Sequence, residues 1–300
     1  MRGIDRGVTV QSRILCQLPI DERSVVAEAH EIAIYPSYYS YTECIGDWRS
    51  YTLYNNQGNE RDFIFRSSTK SGSCTELGKH LKYIKTFIEE NFDTTKLVQA
   101  RAFSMRDAVV FPHRDFIEVN EAYIRLQIPL ITHSQAYHAE EDVVFRMRIG
   151  EVWHLAATNV HSAANLGDRR RLNLCLDFEN TDQPIQLLKK TGDTLPLPDI
   201  VVREEPSENH VRDIIAIGRI ARKENIKDII KLVLKEQYLM NITPAEIYDL
   251  LIKLSEQSRD MDIIRKVRTI RDYMTVERAV GKLLTAWDNW NTDVEPFEVA

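Results

Sequence analysis

Phe111-Pro-His-Arg-Asp-Phe116 is the stretch whose reading decides this chain. His113 and Asp115 stand two residues apart, and on an extended strand residues i and i+2 point to the same face. The run before them, Asp107-Ala-Val-Val-Phe111, is β-branched and aromatic, so a strand is expected over Ala108 to His113. An imidazole and a carboxylate then project side by side from one surface. That is two thirds of a 2-His-1-carboxylate set, which leaves open positions on Fe(II). His-any-Asp is common by chance, so alone the pair is a weak signal. A β fold would have to bring back a second histidine from further along, and His161 is the candidate.

The surrounding chain has the strands such a fold needs. Leu97 to Phe103, Tyr123 to Leu130, Val143 to Met147, Glu151 to Leu155 and Arg171 to Phe178 are short, apolar or alternating runs. With no helix among them, they predict a sandwich or barrel. Before them, Ser12 to Leu18 reads as an opening strand, and Ile20 to Ala33 as a helix capped by Asp21. Trp48 to Tyr54 reads as a strand, Asn55 to Gly58 as a turn, and Thr75 to Asn91 as one amphipathic helix. After Asn180 the chain is proline-rich and charged, and then the period becomes helical. Helices are expected over Val211 to Lys223, Ile226 to Tyr238, Pro244 to Glu256, Met261 to Tyr273 and Val276 to Trp290. Thr243-Pro-Ala-Glu246 is a capping box. The expected division is a β core with an N-terminal extension over 1–182, a linker over 183–208 and a helical domain over 209–300.

Composition narrows the partners. Lys+Arg 39 against Asp+Glu 45 gives a formal net charge of −6, which opposes non-specific nucleic-acid binding. No apolar run approaches the ~20 residues of a membrane span, and Met1 to Arg6 lacks a secretory core. The four cysteines, Cys16, Cys44, Cys74 and Cys175, are far apart and read as reduced thiols of a cytoplasmic protein. The apolar stripes of the C-terminal helices read as core and as a surface for a homodimer. His133, His138 and His154 read as surface or core residues before a second metal set. Arg169 and Arg170 read as exposed turn residues. Glu140-Glu-Asp142 reads as a solvated loop, with a lid over the metal as the sharper alternative.

Arg171 opens a strand whose other face is Leu172, Leu174 and Leu176. An inward cation there, beside Asn173, is costly to bury unless it meets an anion. A dicarboxylate held by the guanidinium would supply one. His113, Asp115, the distal His161 and Arg171 ten residues beyond it resemble the signature of Fe(II)/2-oxoglutarate-dependent oxygenases. Val109 to Phe116, Gly150-Glu-Val-Trp153, His161-Ser-Ala-Ala-Asn165 and Arg171 to Phe178 are similar to the bacterial free-proline 3- and cis-4-hydroxylases. These lie within the aspartyl/asparaginyl β-hydroxylase-like group. The similarity extends to Asp213 to Gly218 and Arg268 to Tyr273.

The resemblance implies a mainly β plus α fold, with a double-stranded β-helix (jelly-roll) core, N-terminal helices and a C-terminal helical domain. It implies that His113, Asp115 and His161 bind Fe(II). Arg171, with Gln127 and Asn173, would hold 2-oxoglutarate. Arg125, Arg101, Phe103 and Trp153 would meet the substrate. The cofactors implied are Fe(II), 2-oxoglutarate and O2, with ascorbate supporting activity, and the substrate is a free L-amino acid. Where the wider group has Arg-x-His, this chain has Arg125-Leu-Gln127. It has Phe103 where the proline enzymes carry a second Arg, and His154-Leu-Ala156 where they carry Phe-Leu-Asp. These departures point beyond proline, to lysine 4-hydroxylation or pipecolate in nonribosomal peptide biosynthesis, with L-proline 3- or cis-4-hydroxylation as the alternative. An ε-ammonium would need an acidic partner among Asp107, Glu118, Glu121, Glu140, Glu141 and Asp142. The competing class is a non-catalytic β-barrel binding module, and a carrier-bound substrate is a third reading.

Overall fold

The computed structural model describes residues 11–38, 43–66, 70–116, 123–181, 183–190 and 197–278. Its strands are β1 (Arg13–Gln17), β2 (Cys44–Asn55), β3 (Ser73–Cys74), β4 (Leu97–Val110), β5 (Ile124–Ile131), β6 (Ala136–Glu140), β7 (Val143–Arg146), β8 (Glu151–Leu155), β9 (His161–Asn165), β10 (Arg171–Phe178) and β11 (Asp199–Ile200). Its helices are α1 (Glu22–Ile34), α2 (Glu76–His80), α3 (Lys82–Asn91), α4 (Glu208–Ile217), α5 (Ile226–Leu239), α6 (Pro244–Gln257) and α7 (Met261–Asp272). The strands form one curled antiparallel sheet in the order β1-β8-β5-β10-β4-β9-β6-β7-β11, with β2 on the other edge of β4. This is the expected jelly-roll core carrying helices.

The sheet curls because β4 bends. Its first part pairs with β10 as far as Met105↔Arg171, and its end pairs with β9 at Ala108↔Asn165. Between them Asp107 has φ 41. Opposite, on β2, Gly46 has φ +119, and a Cβ there would lie 2.1 Å from the Asp107 carbonyl oxygen. Only glycine fits both the conformation and the approach. The bend turns the end of β4, and the His-Arg-Asp segment after it, toward β9.

Alternation on β10 separates two environments. Leu172, Leu174, Leu176 and Phe178 enter a core with Val25 and Ile32 of α1 and Ile84 and Ile88 of α3. Burying each such side chain contributes about 1.5–3 kcal/mol. Arg171, Asn173, Cys175 and Asp177 face the other way, into the fold, and all four are buried. A second core joins Val109, Phe111, Ala139, Val144 and Ala164 of the sheet to Ile214, Ile230, Val233, Tyr248 and Leu251 of the C-terminal helices. The helices therefore pack on the sheet around the segment that carries His113.

Several expectations need correction. The strands expected at Leu97–Phe103 and Ala108–His113 are one strand, β4, which ends at Val110. His113 and Asp115 lie beyond it, and His113 keeps its place through a bridge to His161. The single helix expected over Thr75 to Asn91 is broken at Leu81 (ψ 78) into α2 and α3. Leu77, Leu81, Ile84 and Ile88 stay buried across the break, so the apolar stripe does not report it. Strands β6 and β9 were not expected. Their small residues suit close packing between neighbouring strands, where β-branched content is a poor guide. The segment between core and helices carries a 3-10 turn, Pro184–Leu187, and the short strand β11. The helix expected over Val276 to Trp290 lies outside the described residues beyond 278. Asp21 and the Thr243 capping box stand as expected.

Candidate active site

His113, Asp115 and His161 converge, with one ligand atom from each lying within 4.8 Å of the others. Among the described residues this is the His/Cys/Asp/Glu group whose geometry could hold a metal ion. The Nε2 atoms of His113 and His161 each stand 3.5 Å from an Asp115 carboxylate oxygen. Backbone pairing sets the spacing, since His113 and His161 exchange both amide hydrogen bonds and the Asp115 amide donates to the Ala157 carbonyl. The far side of each ring is anchored as well. His113 Nδ1 lies 2.7 Å from the Phe111 carbonyl and His161 Nδ1 lies 3.0 Å from the Asn159 carbonyl. A carbonyl only accepts, so Nδ1 carries the proton and each Nε2 presents its lone pair to the centre. Burial, then the charges of Arg278 and His161, push the His113 pKa down to about 4. Burial alone would raise Asp115, but Arg125 and Arg278 outweigh it and hold the carboxyl well below its usual range. Two imidazoles that turn Nε2 to the centre and one carboxylate suit a divalent first-row metal such as Fe(II), with coordination positions left over.

Arg171 is buried with no carboxylate paired to it among the described residues. Its Nε donates to Asn173 Oδ1 at 3.0 Å and its Nη1 to the Tyr137 carbonyl at 2.9 Å. Asn173 Nδ2 in turn donates to Gln127 Oε1 at 3.1 Å. Burial lowers the Arg171 pKa to about 10. A buried guanidinium held by neutral acceptors is a site waiting for an anion. Beside it lies His138, also buried, with Nδ1 lacking a partner among the described residues. The His138 ring stacks on His161 at 6.0 Å and meets Phe145 at 5.1 Å. Phe145 stacks on Trp153 at 4.5 Å, so Trp153 is a fully buried support for this row of rings.

On the other side, Arg125 is pinned by Asp177, through Nε at 2.7 Å and Nη2 at 3.1 Å, and also reaches Asp115. Arg101 donates to the same Asp177 at 2.8 Å, and its guanidinium lies over the Phe103 ring at 5.0 Å. Phe116, with Phe65 and Tyr123 packed against it, forms an aromatic wall 4.8 Å from the Arg125 guanidinium. Thus Arg101, Phe103, Arg125, Gln127, Asn173 and Arg171 line the inside of the fold near the triad.

Four features were not anticipated. Arg278 reaches Asp115 from beyond α7, and nothing in its sequence context signals this. Asp177 orients both arginines; counting by twos from Arg171 would have placed it on the inner face. Glu140 is neither a solvated loop residue nor a lid. It is buried and accepts from the Gln11 and Ser12 amides and from Asn159 Nδ2, each at 2.9 Å. Arg170 is likewise no free turn residue, for it pairs with Asp47 at 2.6 Å.

A family model for aspartyl/asparaginyl β-hydroxylase matches residues 20–181, and one for the C-terminal part of L-proline 3-hydroxylase matches 185–282. L-proline cis-3-hydroxylase 2 of a Streptomyces species is 31% identical over 293 residues, covering 93% of this chain and 100% of that one. L-proline cis-4-hydroxylase of Rhizobium meliloti (strain 1021) is 29% identical over 257 residues, covering 85% of this chain and 91% of that one. No helix among the described residues is long and apolar enough to cross a membrane.

Proposed function

The chain belongs to the aspartyl/asparaginyl β-hydroxylase family, and from that premise we propose that it hydroxylates a free L-amino acid of the size of proline or pipecolate. It is a 2-oxoglutarate- and Fe(II)-dependent oxygenase, which sets aside a non-catalytic barrel module. The observation that carries the reading is the pairing of a buried His113, Asp115, His161 cluster with an Arg171 that has no carboxylate paired to it among the described residues.

In this reading His113, Asp115 and His161 hold the iron, and Arg171 holds the distal carboxylate of 2-oxoglutarate. Iron and 2-oxoglutarate together supply the activation of O2 that inserts oxygen into a C–H bond. The protein's own part is placement and exclusion of water. Asn173 and Gln127 fix the Arg171 fork, and the backbone carbonyls fix both imidazoles. Arg125 and Arg101, aligned by Asp177, would receive the substrate carboxylate. Phe103 and the Phe116 wall would cover its apolar part.

That wall supports an uncharged side chain over lysine. Asp107 pairs with Lys231 and Lys235, Glu140 holds the N-terminal segment, and Glu141 accepts from the Val160 amide. Those three are engaged, whereas Asp142 keeps a buried Oδ1 with no hydrogen-bond partner among the described residues and stays a candidate for an ε-ammonium. Glu118 and Glu121, also named as partners, lie outside the described residues. No disulfide links the four cysteines, which supports a reducing compartment such as the cytoplasm. The test is turnover of L-proline, L-pipecolate and L-lysine with labelled 2-oxoglutarate, following succinate and hydroxylated product. Turnover of proline or pipecolate is expected; turnover of lysine alone would sink the assignment.

A further inference from the structure

We infer that His138 is a further cosubstrate-binding residue, whose ring N–H donates to a carboxylate oxygen of 2-oxoglutarate. The inference rests on the placing of 2-oxoglutarate at Arg171 proposed above and adds a second holder to it.

His138 lies on β6 and is 3% exposed. Its ring stacks on that of His161, with the planes 15° apart and the centroids 6.0 Å apart. The residue before it, Tyr137, offers its carbonyl to Arg171 Nη1 at 2.9 Å. The charges of His161, Arg171 and His113 all reach the imidazole. His138 therefore adjoins both a metal ligand and the anion-seeking guanidinium. A keto acid that runs from the metal to Arg171 must pass along it.

Packing alone does not account for a histidine here. Phe145 lies 5.1 Å from the ring and is itself stacked on Trp153 at 4.5 Å, so rings brace the imidazole on the side away from His161. A phenylalanine at 138 would join the same row. The imidazole instead brings Nδ1 into the interior with no hydrogen-bond partner among the described residues. A buried polar nitrogen left unpaired carries the full cost of its desolvation. The polar neighbours are already committed: Asn173 joins Arg171 to Gln127, and Nδ1 of His161 faces the Asn159 carbonyl. Across the ladder on β9 stands Ala163, which has no polar side-chain atom. A carboxylate oxygen of the cosubstrate is the acceptor that fits, because it comes to the two groups that His138 adjoins. An imidazole has an N–H to give whether neutral or protonated.

The test uses the full chain loaded with Fe(II) under argon and titrated with 2-oxoglutarate, following the visible band. Fe(II) affinity is measured separately by isothermal titration. His138→Phe keeps the row of rings and removes both nitrogens. It is expected to keep the Fe(II) affinity and to weaken 2-oxoglutarate roughly tenfold or more, as for a lost hydrogen bond to a charged group. His138→Asn and His138→Gln return an N–H at the shorter and the longer reach of the imidazole, and one of them should bind 2-oxoglutarate more tightly than His138→Phe does. Unchanged 2-oxoglutarate affinity in His138→Phe would overturn the inference. Equal weakening in all three variants would also overturn it, since His138 would then be packing. Loss of Fe(II) affinity in His138→Phe would assign the ring to the support of His161 and overturn it as well. Arg171→Gln separates this inference from the reading beneath it. If that variant binds 2-oxoglutarate as the wild type does, the placing at Arg171 fails first; if it binds weakly while His138→Phe does not, only the inference about His138 falls.

Discussion

His113 and His161 hold each other through their backbones: the His113 amide donates to the His161 carbonyl at 2.9 Å, and the His161 amide donates back at 2.8 Å. This two-way bridge, beyond the end of β4, lets two imidazoles from distant parts of the chain meet with ring centroids 4.5 Å apart. The distance between the metal ligands is thus a property of the main chain and persists without an ion.

It follows that removing one ligand should not collapse the site but should empty it. His161→Ala and Asp115→Ala are expected to abolish the visible band formed by Fe(II) and 2-oxoglutarate under argon. Asp115→Ala should also destabilise the metal-free protein by about 3 kcal/mol, because Arg125 and Arg278 lose a buried anion. Urea denaturation of the metal-free variants checks the second point, and His161→Ala serves as the comparison.

Arg171 makes a sharper case for the cosubstrate. It is a buried fork with neutral partners, so the energy of meeting a carboxylate is unspent in the free protein. Arg171→Gln should raise the KM for 2-oxoglutarate roughly 30-fold or more, as for loss of one partner of a buried charge pair. The KM for the amino acid should change little. Arg171→Lys should recover only part, because an ammonium lacks the planar fork.

The pH dependence has a definite sign. His113 has its pKa lowered to about 4 by burial, against about 6.5 in the unfolded chain. The unfolded state therefore binds more protons between these values, and stability rises with pH across them. Metal-free protein should be at full stability above pH 6.5 and should lose it as the pH falls toward 4, with His138, also lowered by burial, adding in the same direction. Urea midpoints at pH 7.5, 5.5 and 4.5 should fall in that order. A flat profile would contradict neutral, buried imidazoles.

One of the contacts from the helical region to the metal-bearing segment is a phenol. Tyr248 donates to the Pro112 carbonyl at 2.5 Å, immediately before His113. Tyr248→Phe should cost about 1 kcal/mol of stability. It should weaken Fe(II) roughly tenfold, as loss of an outer support does. Isothermal titration with Fe(II) under argon measures the second effect. An unchanged affinity would show that the segment holds His113 without the helices.

Legibility followed the range of the physical cause. His113 and Asp115 could be read because their spacing is local, and Arg171 because a cation opening an apolar strand is conspicuous against its own neighbours. The barrel could be read from strand composition, yet β6 and β9 were missed because Ala136 to Glu140 and His161 to Asn165 are small or polar and owe their strand state to their partners. Glu140 looks solvated among acidic neighbours, since its true partners, the Gln11 and Ser12 amides, are remote in the chain. Arg278 was beyond reach for the same reason: its position depends on a change of helical pitch and on the docking of one region against another.

The row of rings His161, His138, Phe145 and Trp153 has a practical consequence. Trp153 is fully enclosed, so its emission should be blue-shifted and shielded from quenchers in solution. An ion seated on His161 would lie three rings away and drain that emission by short-range energy transfer. In a variant that keeps Trp153 alone of the four tryptophans, the indole is then an optical gauge of iron loading, readable without a dye, a label or a substrate.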